Sequence, residues 1–169
     1  LGVDLPYNRM LYHLIRINTN KPEEVNWTEV IPEKKDVLES VRMISGRLVV
    51  NYLKDAHSKV EVYYFDGALD HEVQLPGIGT VSAFSGKKDE STAYFSYTSF
   101  NTPGEIYNYD LSTKEISLHF RPEVKFNPDE FEVKQEFYQS KDGTKVPLFI
   151  VSKKGIELNE ALGIIHDIA

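Results

Sequence analysis

The sequence has no cysteine, one tryptophan, two methionines and no long apolar run. Without thiols there is no disulfide framework, no thiolate nucleophile and no cysteine-type zinc site. That composition suits a reducing compartment, and a cytoplasmic location is the expectation. No apolar stretch approaches the ~18 residues that a membrane-spanning helix needs, so no membrane partner is expected. The opening Leu1-Gly2-Val3-Asp4 lacks the charged and apolar regions of a secretory or transit peptide. It also lacks an initiating methionine, and the expectation is that Leu1 is not the natural start.

Positive charge is in short supply: 19 Lys and Arg stand against 26 Asp and Glu, for a net charge of -7. A phosphate backbone needs a concentrated basic footprint, so nucleic acid is excluded as a partner. Lys34-Lys35, Lys87-Lys88 and Lys153-Lys154 are scattered among acids and read as solvated turns. Glycine-rich phosphate loops are absent, and no serine sits in the Gly-x-Ser-x-Gly context of a nucleophile elbow. Asp55 with His57, Asp70 with His71, and His166 with Asp167 are the close acid–imidazole pairs. None has a serine partner or a second ligand cluster, so they read as turn residues at sheet rims. No catalytic, substrate-binding or metal residue is therefore assigned, and no cofactor. Asn26-Trp27-Thr28 matches a glycosylation acceptor, but without a secretory signal it reads as accidental.

What the chain does have is sheet-forming residues, including ten tyrosines and nine phenylalanines. Alternating apolar runs predict strands over 10–18, 27–31, 37–44, 47–53, 59–65, 69–75, 79–85, 92–99, 104–110, 115–120, 132–139 and 144–151. Asp66-Gly67, Pro76-Gly77, Ser85-Gly86, Pro103-Gly104 and Asp142-Gly143 supply the turns. Tyr94, Tyr97, Phe100, Tyr107 and Tyr109 lack the basic neighbours of a base-stacking platform and read as sheet core.

These runs repeat. Val62-Tyr63-Tyr64-Phe65-Asp66 with Glu72 to Pro76 is echoed by Ile106-Tyr107-Asn108-Tyr109-Asp110 with Glu115 to His119, and Leu48 to Tyr52 by Ala93 to Tyr97. Upstream, Leu14 to Asn18 leads to Trp27 to Pro32 in the same way. A period of about 44 residues with four strands per unit is that of a β-propeller blade. A single β-sandwich of meanders would also accommodate the strand count. A closed propeller needs about 4–8 blades, whereas this length supplies two and part of a third, so a fragment with open, self-associating sheet faces is expected.

Composition shifts at Arg121 to Glu130, a charged stretch with Pro122 and Pro128 that reads as a linker. Beyond it, Glu132 to Tyr138 and Lys145 to Val151 flank a Ser140-Lys141-Asp142-Gly143-Thr144 turn, a β-hairpin with an apolar second strand. Leu158 to Ala169 could start a short helix.

Five collinear segments resemble the prolyl oligopeptidase family of serine peptidases. They are Trp27 with Val30, Pro32 and Glu33, followed by Asp36 to Glu39; Tyr52 to Asp55 with Val60 to Val62; Gly79 to Val81 with Ser85 to Asp89; Tyr97-Thr98-Ser99-Phe100-Asn101-Thr102-Pro103-Gly104-Glu105-Ile106-Tyr107; and Tyr138 to Val151 with Lys153 to Ile156. The resemblance implies a seven-bladed propeller inserted into an α/β-hydrolase domain. Residues 1–121 would be its C-terminal blades, 122–130 the linker, and 131–169 the start of the peptidase domain, with a divergent tail at 157–169. The fold class expected is thus mainly β: incomplete four-stranded antiparallel blades followed by the first hairpin of an α/β-hydrolase domain. The family's catalytic Ser, Asp and His and its oxyanion segment lie further along than Ala169. The implied function is part of a proline-specific endopeptidase acting on short proline-containing peptides, with this chain inactive alone. A non-catalytic propeller that binds a protein partner is the alternative, and an oligopeptidase cleaving after basic residues ranks below both.

Overall fold

A computed structural model describes residues 12–82 and 84–156; the expected helix at the C-terminus and the pair His166 and Asp167 lie outside the described residues. Among the described residues the regular structure is antiparallel strand apart from two short 3-10 turns. β1 (Leu14–Arg16) pairs with β2 (Thr28–Ile31). β3 (Val37–Ile44), β4 (Arg47–Lys54), β5 (His57–Tyr63) and β6 (Leu69–Glu72) form a four-stranded sheet in chain order. In the next sheet β7 (Thr80–Val81) and β8 (Ser85–Gly86) both pair with β9 (Thr92–Thr98), followed by β10 (Glu105–Asp110) and β11 (Glu115–Phe120). β12 (Phe131–Gln139) and β13 (Lys145–Lys153) make a separate hairpin with unbroken register from Phe131 opposite Lys153 to Gln139 opposite Lys145.

Sheets whose strands follow chain order are the meanders of propeller blades. The repeat read from the sequence places β4 with β9, β5 with β10 and β6 with β11. The turns after β5 and β10 match in detail: Asp66 Oδ1 accepts the Ala68 N–H at 3.0 Å, and Asp110 Oδ1 accepts the Ser112 N–H at 2.7 Å. Two other turns escape the sequence reading. Ser45-Gly46 and Asp55-Ala56 take φ values of 48° and 68°, and of 47° and 64°. The second contains neither glycine nor asparagine, the residues that advertise a left-handed pair.

The strand expected over 79–85 is divided into β7 and β8. Ser82 is the cause: its N–H donates to the Ser96 carbonyl at 2.9 Å, while its Oγ, rather than its own carbonyl, accepts the Ser96 N–H at 3.0 Å. β6 also ends at Glu72, earlier than expected, although the Val73 N–H still reaches the Val60 carbonyl at 2.9 Å.

Packing decides between propeller and sandwich. The β3–β6 sheet is covered on both faces, whereas a sandwich has two layers. On one face Leu48, Val50, Tyr52 and Tyr63 pack with Ile31 of β2 and the partly buried Leu14 and Val30. On the other, Val49, Val60 and Val62 pack with Val81, Phe84, Ala93, Phe95, Tyr97, Tyr107 and Tyr109. Alternation sends successive residues of β4 to opposite faces, so Leu48 through Tyr52 are all buried. Among the described residues, the β7–β11 sheet is covered on one face. On its open side Tyr94 is 42% exposed and Phe120 52%.

Gly67 shows how closely the units approach. Its φ is 89°, and a Cβ there would lie 1.9 Å from the Val30 carbonyl oxygen. Gly104, at φ 64°, has nothing within 4 Å of the same position. Gly104→Ala is expected to cost about 1 kcal/mol from backbone strain alone. Gly67→Ala adds a backbone clash and should cost about 2 kcal/mol or more in denaturant unfolding.

Candidate functional site

A cluster of interacting polar groups lies where β10 begins and β11 ends. Glu105 opens β10 with its side chain turned inward, 2% exposed. Tyr107, two residues on and so on the same face, donates its hydroxyl to Glu105 Oε2. Arg121, just past β11, donates through Nε to Glu105 Oε1 and through Nη1 to Asp129 Oδ2 at 3.4 Å. Burial first, and then the bond to Glu105, raises the Tyr107 phenol above its usual value. The same carboxylate holds the Arg121 guanidinium protonated.

Asn101, between β9 and β10, completes the cluster. Its Nδ2 donates to the Pro128 and Phe131 carbonyls, each at 3.3 Å. Its Oδ1 accepts the hydroxyls of Ser99 at 2.6 Å and Thr102 at 3.4 Å. Pro128–Glu130 is one turn of 3-10 helix, capped by Asn127 Oδ1 accepting the Asp129 N–H at 3.1 Å. These groups wall a cavity of about 310 Å³ with Gly77, Ile78 and Tyr97. Beside it lies an apolar cleft of about 280 Å³ bordered by Ala56, Ile78, Thr98, Phe100 and Phe149. There Phe100 of the blade loop meets Phe149 of β13 at 5.2 Å between ring centres, and Gln135 Nε2 donates to the Asp55 carbonyl at 2.6 Å.

Of the acid–imidazole pairs, Asp70 and His71 meet, with Asp70 Oδ2 3.5 Å from His71 Nδ1. His57 Nδ1 lies 3.4 Å from the backbone oxygen of Asp55, at the β4–β5 turn. His71 is not a rim residue: it stands on β6 facing the next sheet, and its Nε2 bonds the Tyr109 hydroxyl. Burial and the Lys114 charge keep its imidazole below the usual value. Asp70 also bridges sheets, accepting Lys114 Nζ at 2.9 Å and lying 3.5 Å from Arg47 Nε. Among the described residues no group of three or more His, Cys, Asp or Glu could hold a metal. The aromatic set also divides. Tyr97, Tyr107 and Tyr109 are core, but Tyr94 is on the opposite face, edge-on to His119, and Phe100 is 54% exposed in its loop.

A second buried carboxylate was not singled out from the sequence. Glu61, 4% exposed, accepts Lys34 Nζ at 2.6 Å and the Tyr63 hydroxyl, and pairs with Lys59 Nζ at 2.7 Å. Lys34 is thus no solvated turn residue; its ammonium also lies 5.2 Å from the centres of the Tyr52 and Tyr63 rings. Glu61-Tyr63 and Glu105-Tyr107 occupy equivalent positions of the repeat: a buried carboxylate, a tyrosine donor two residues on, and a cation from outside the strand. That recurrence is the signal by which both could have been found.

The comparisons with known proteins agree with this blade geometry. Residues 7–120 match the family profile described as prolyl oligopeptidase, N-terminal beta-propeller domain. The chain belongs to the prolyl oligopeptidase family. The prolyl endopeptidase of Elizabethkingia meningoseptica is 37% identical over 144 residues, which is 85% of this chain and 20% of that protein. A solved prolyl endopeptidase superposes with a TM-score of 0.74 at 40% identity, over 86% of this chain and 22% of the other. Prolyl oligopeptidase B of Galerina marginata superposes with a TM-score of 0.77 at 29% identity, over 87% and 22%, and has also been solved with a 25mer macrocyclization substrate. The chain thus spans about a fifth of the length of its curated family relatives.

The Glu61 cluster has a consequence for stability. Burial alone would raise this carboxyl, but hydrogen bonds from Lys34, Lys59 and Tyr63 outweigh burial and hold it at about 2. The folded value is depressed, so the stabilisation is complete above the ordinary carboxyl value of 4.5 and is lost as pH falls towards 2. It amounts to about 3 kcal/mol. Denaturant unfolding at stepwise pH should show an acid limb between those values, and Glu61→Gln should flatten it while lowering stability at pH 7.

Proposed function

We propose that this chain is the closing part of a propeller and the opening of a catalytic domain in a proline-specific serine endopeptidase. Residues 1–121 form blades, 122–130 the linker, and 131–169 the beginning of the α/β-hydrolase domain. In the whole enzyme the propeller limits access to short proline-containing peptides. Cleavage proceeds by nucleophilic attack, an acyl-enzyme and its hydrolysis, with the oxyanion stabilised by hydrogen-bond donors. No residue of this chain is assigned to those steps, and the 169 residues alone are inactive. The enzyme is cytoplasmic, in keeping with a cysteine-free composition.

One observation carries the reading. Likeness to a prolyl endopeptidase runs over 144 residues, longer than the propeller match at residues 7–120, which supports a relationship reaching past the blades. The open faces of the outer sheets support self-association of the chain when it is alone, since exposed Ile106 and Phe120 would be shielded by a neighbouring layer.

The direct test is a chimera in which this chain's matching segment replaces its counterpart in the Elizabethkingia meningoseptica enzyme. The folded chimera should cleave a short prolyl peptide and leave a long unstructured protein intact. Cleavage of the long protein would refute the access role. Hydrolysis of a prolyl peptide by the 169-residue chain itself, blocked by a serine-directed inhibitor, would refute its inactivity.

A further inference from the structure

His71 stands on β6 where the central sheet faces the β7–β11 sheet, and its two ring nitrogens meet different neighbours. Nε2 is bonded to the Tyr109 hydroxyl of β10. Nδ1 is buried without a hydrogen-bond partner of good geometry among the described residues, and it lies 3.5 Å from Asp70 Oδ2. A bare lone pair beside a carboxylate oxygen would be repelled, so the neutral ring carries its proton on Nδ1. Nε2 is then the acceptor, and the Tyr109 hydroxyl donates across the seam between the sheets. Tyr109 is 0% exposed and sits in the apolar core, with Phe84 edge-on at 6.1 Å between ring centres.

Charge around the ring is already one-sided. Asp70 also accepts Lys114 Nζ at 2.9 Å from the β10–β11 turn and lies 3.5 Å from Arg47 Nε on β4. Two cations therefore share one carboxylate before His71 titrates. Lys114 holds the Asp70 carboxyl below its ordinary value, so it stays ionised where an imidazole titrates. Asp110, next to Tyr109 on β10, is engaged by Ser91, Ser112 and Thr113. On the strand beside β6 the residue opposite His71 is Val62, which does not titrate. Lys114 takes φ 64°, a backbone that favours glycine, and its ammonium is what lysine adds at that position. A proton on Nε2 would turn the acceptor into a donor. It would strand the buried Tyr109 hydroxyl and place a third cation beside a single carboxylate.

We propose that His71 is a pH sensor in the seam between the two sheets: neutral, it fastens Tyr109 and the seam is tight; protonated, it releases Tyr109 and the seam loosens at that point. Burial and the Lys114 charge depress the folded imidazole value, so the fastening is complete above the ordinary value of 6.5 and is lost as pH falls through the lower, folded value. This loss begins at a higher pH than the loss at Glu61, which starts near 4.5. The sensor is a property of the seam and holds whether or not the chain is part of a peptidase.

Long-range proton–nitrogen NMR of the His71 ring, assigned through its own backbone, reads the tautomer in the unsubstituted chain. At about pH 7.5 the proton should be on Nδ1 with Nε2 bare, and a proton on Nε2 at that pH would overturn the proposal. Amide exchange then reads the seam. Protection of Tyr107 to Leu111, taken relative to Val49 to Asn51 at each pH, should fall between about pH 7 and about pH 5.5, by at most about tenfold per pH unit, the limit for one proton. His71→Gln, whose side-chain oxygen can still accept from Tyr109, should keep the high-pH protection and lose the pH dependence. Lys114→Gly suits the turn but removes a cation, and should move the His71 titration midpoint upward. Relative protection that stays constant over that range, or a pH dependence that survives in folded His71→Gln, would overturn the proposal.

Discussion

Both faces of the β3–β6 sheet must be covered, and the rest of the molecule is arranged around that requirement. Leu48, Val49, Val50, Tyr52, Val60 and Val62 leave no side of β4 and β5 that water could cover cheaply. Each such side chain contributes about 1.5–3 kcal/mol when fully buried. The β1–β2 pair supplies the cover on one side and the β7–β11 sheet on the other. Among the described residues those outer layers have a single covered face, and the far side of the β7–β11 sheet carries exposed Tyr94, Ile106 and Phe120.

Polar groups are placed to tolerate this stacking. A carboxylate between sheets is stable only when its lone pairs are met, and Glu61 and Glu105 solve the problem alike. The tyrosine two residues on supplies one donor, and a cation from a connecting segment supplies another. The cations differ in origin. Lys34 reaches forward from the connection between β2 and β3 into the next sheet, whereas Arg121 turns back onto the sheet that it has just left. That change of direction ties the segment after β11 to its own blade and gives the β12–β13 hairpin its starting point.

Much of this architecture was legible because it repeats. Paired apolar runs separated by one period gave β4 with β9 and β5 with β10, and the Asp66 and Asp110 turns were recoverable from residue type. The Asp55-Ala56 turn was not, because alanine carries no mark of a left-handed backbone. Nor was the break between β7 and β8, which depends on Ser82 exchanging its carbonyl for its hydroxyl as an acceptor. Lys34 and His71 were misplaced for a shared reason. Polar residues in a chain with alternating strands read as solvent-facing, and only knowledge that the middle sheet is buried on both faces moves them inside. The junction at Asn101, Glu105 and Arg121 joins residues distant in sequence, and no local pattern announces such contacts.

The measurement that bears most directly on the central layer is amide hydrogen exchange followed residue by residue at pH 7. If the doubly covered sheet holds the molecule together, the amides of Leu48 to Tyr52 and Val60 to Tyr63 exchange slowest, and those of β1, β11 and the β12–β13 hairpin exchange far faster. Protection in β11 or the hairpin equal to that in β4 and β5, or none in β4 and β5, would contradict the account.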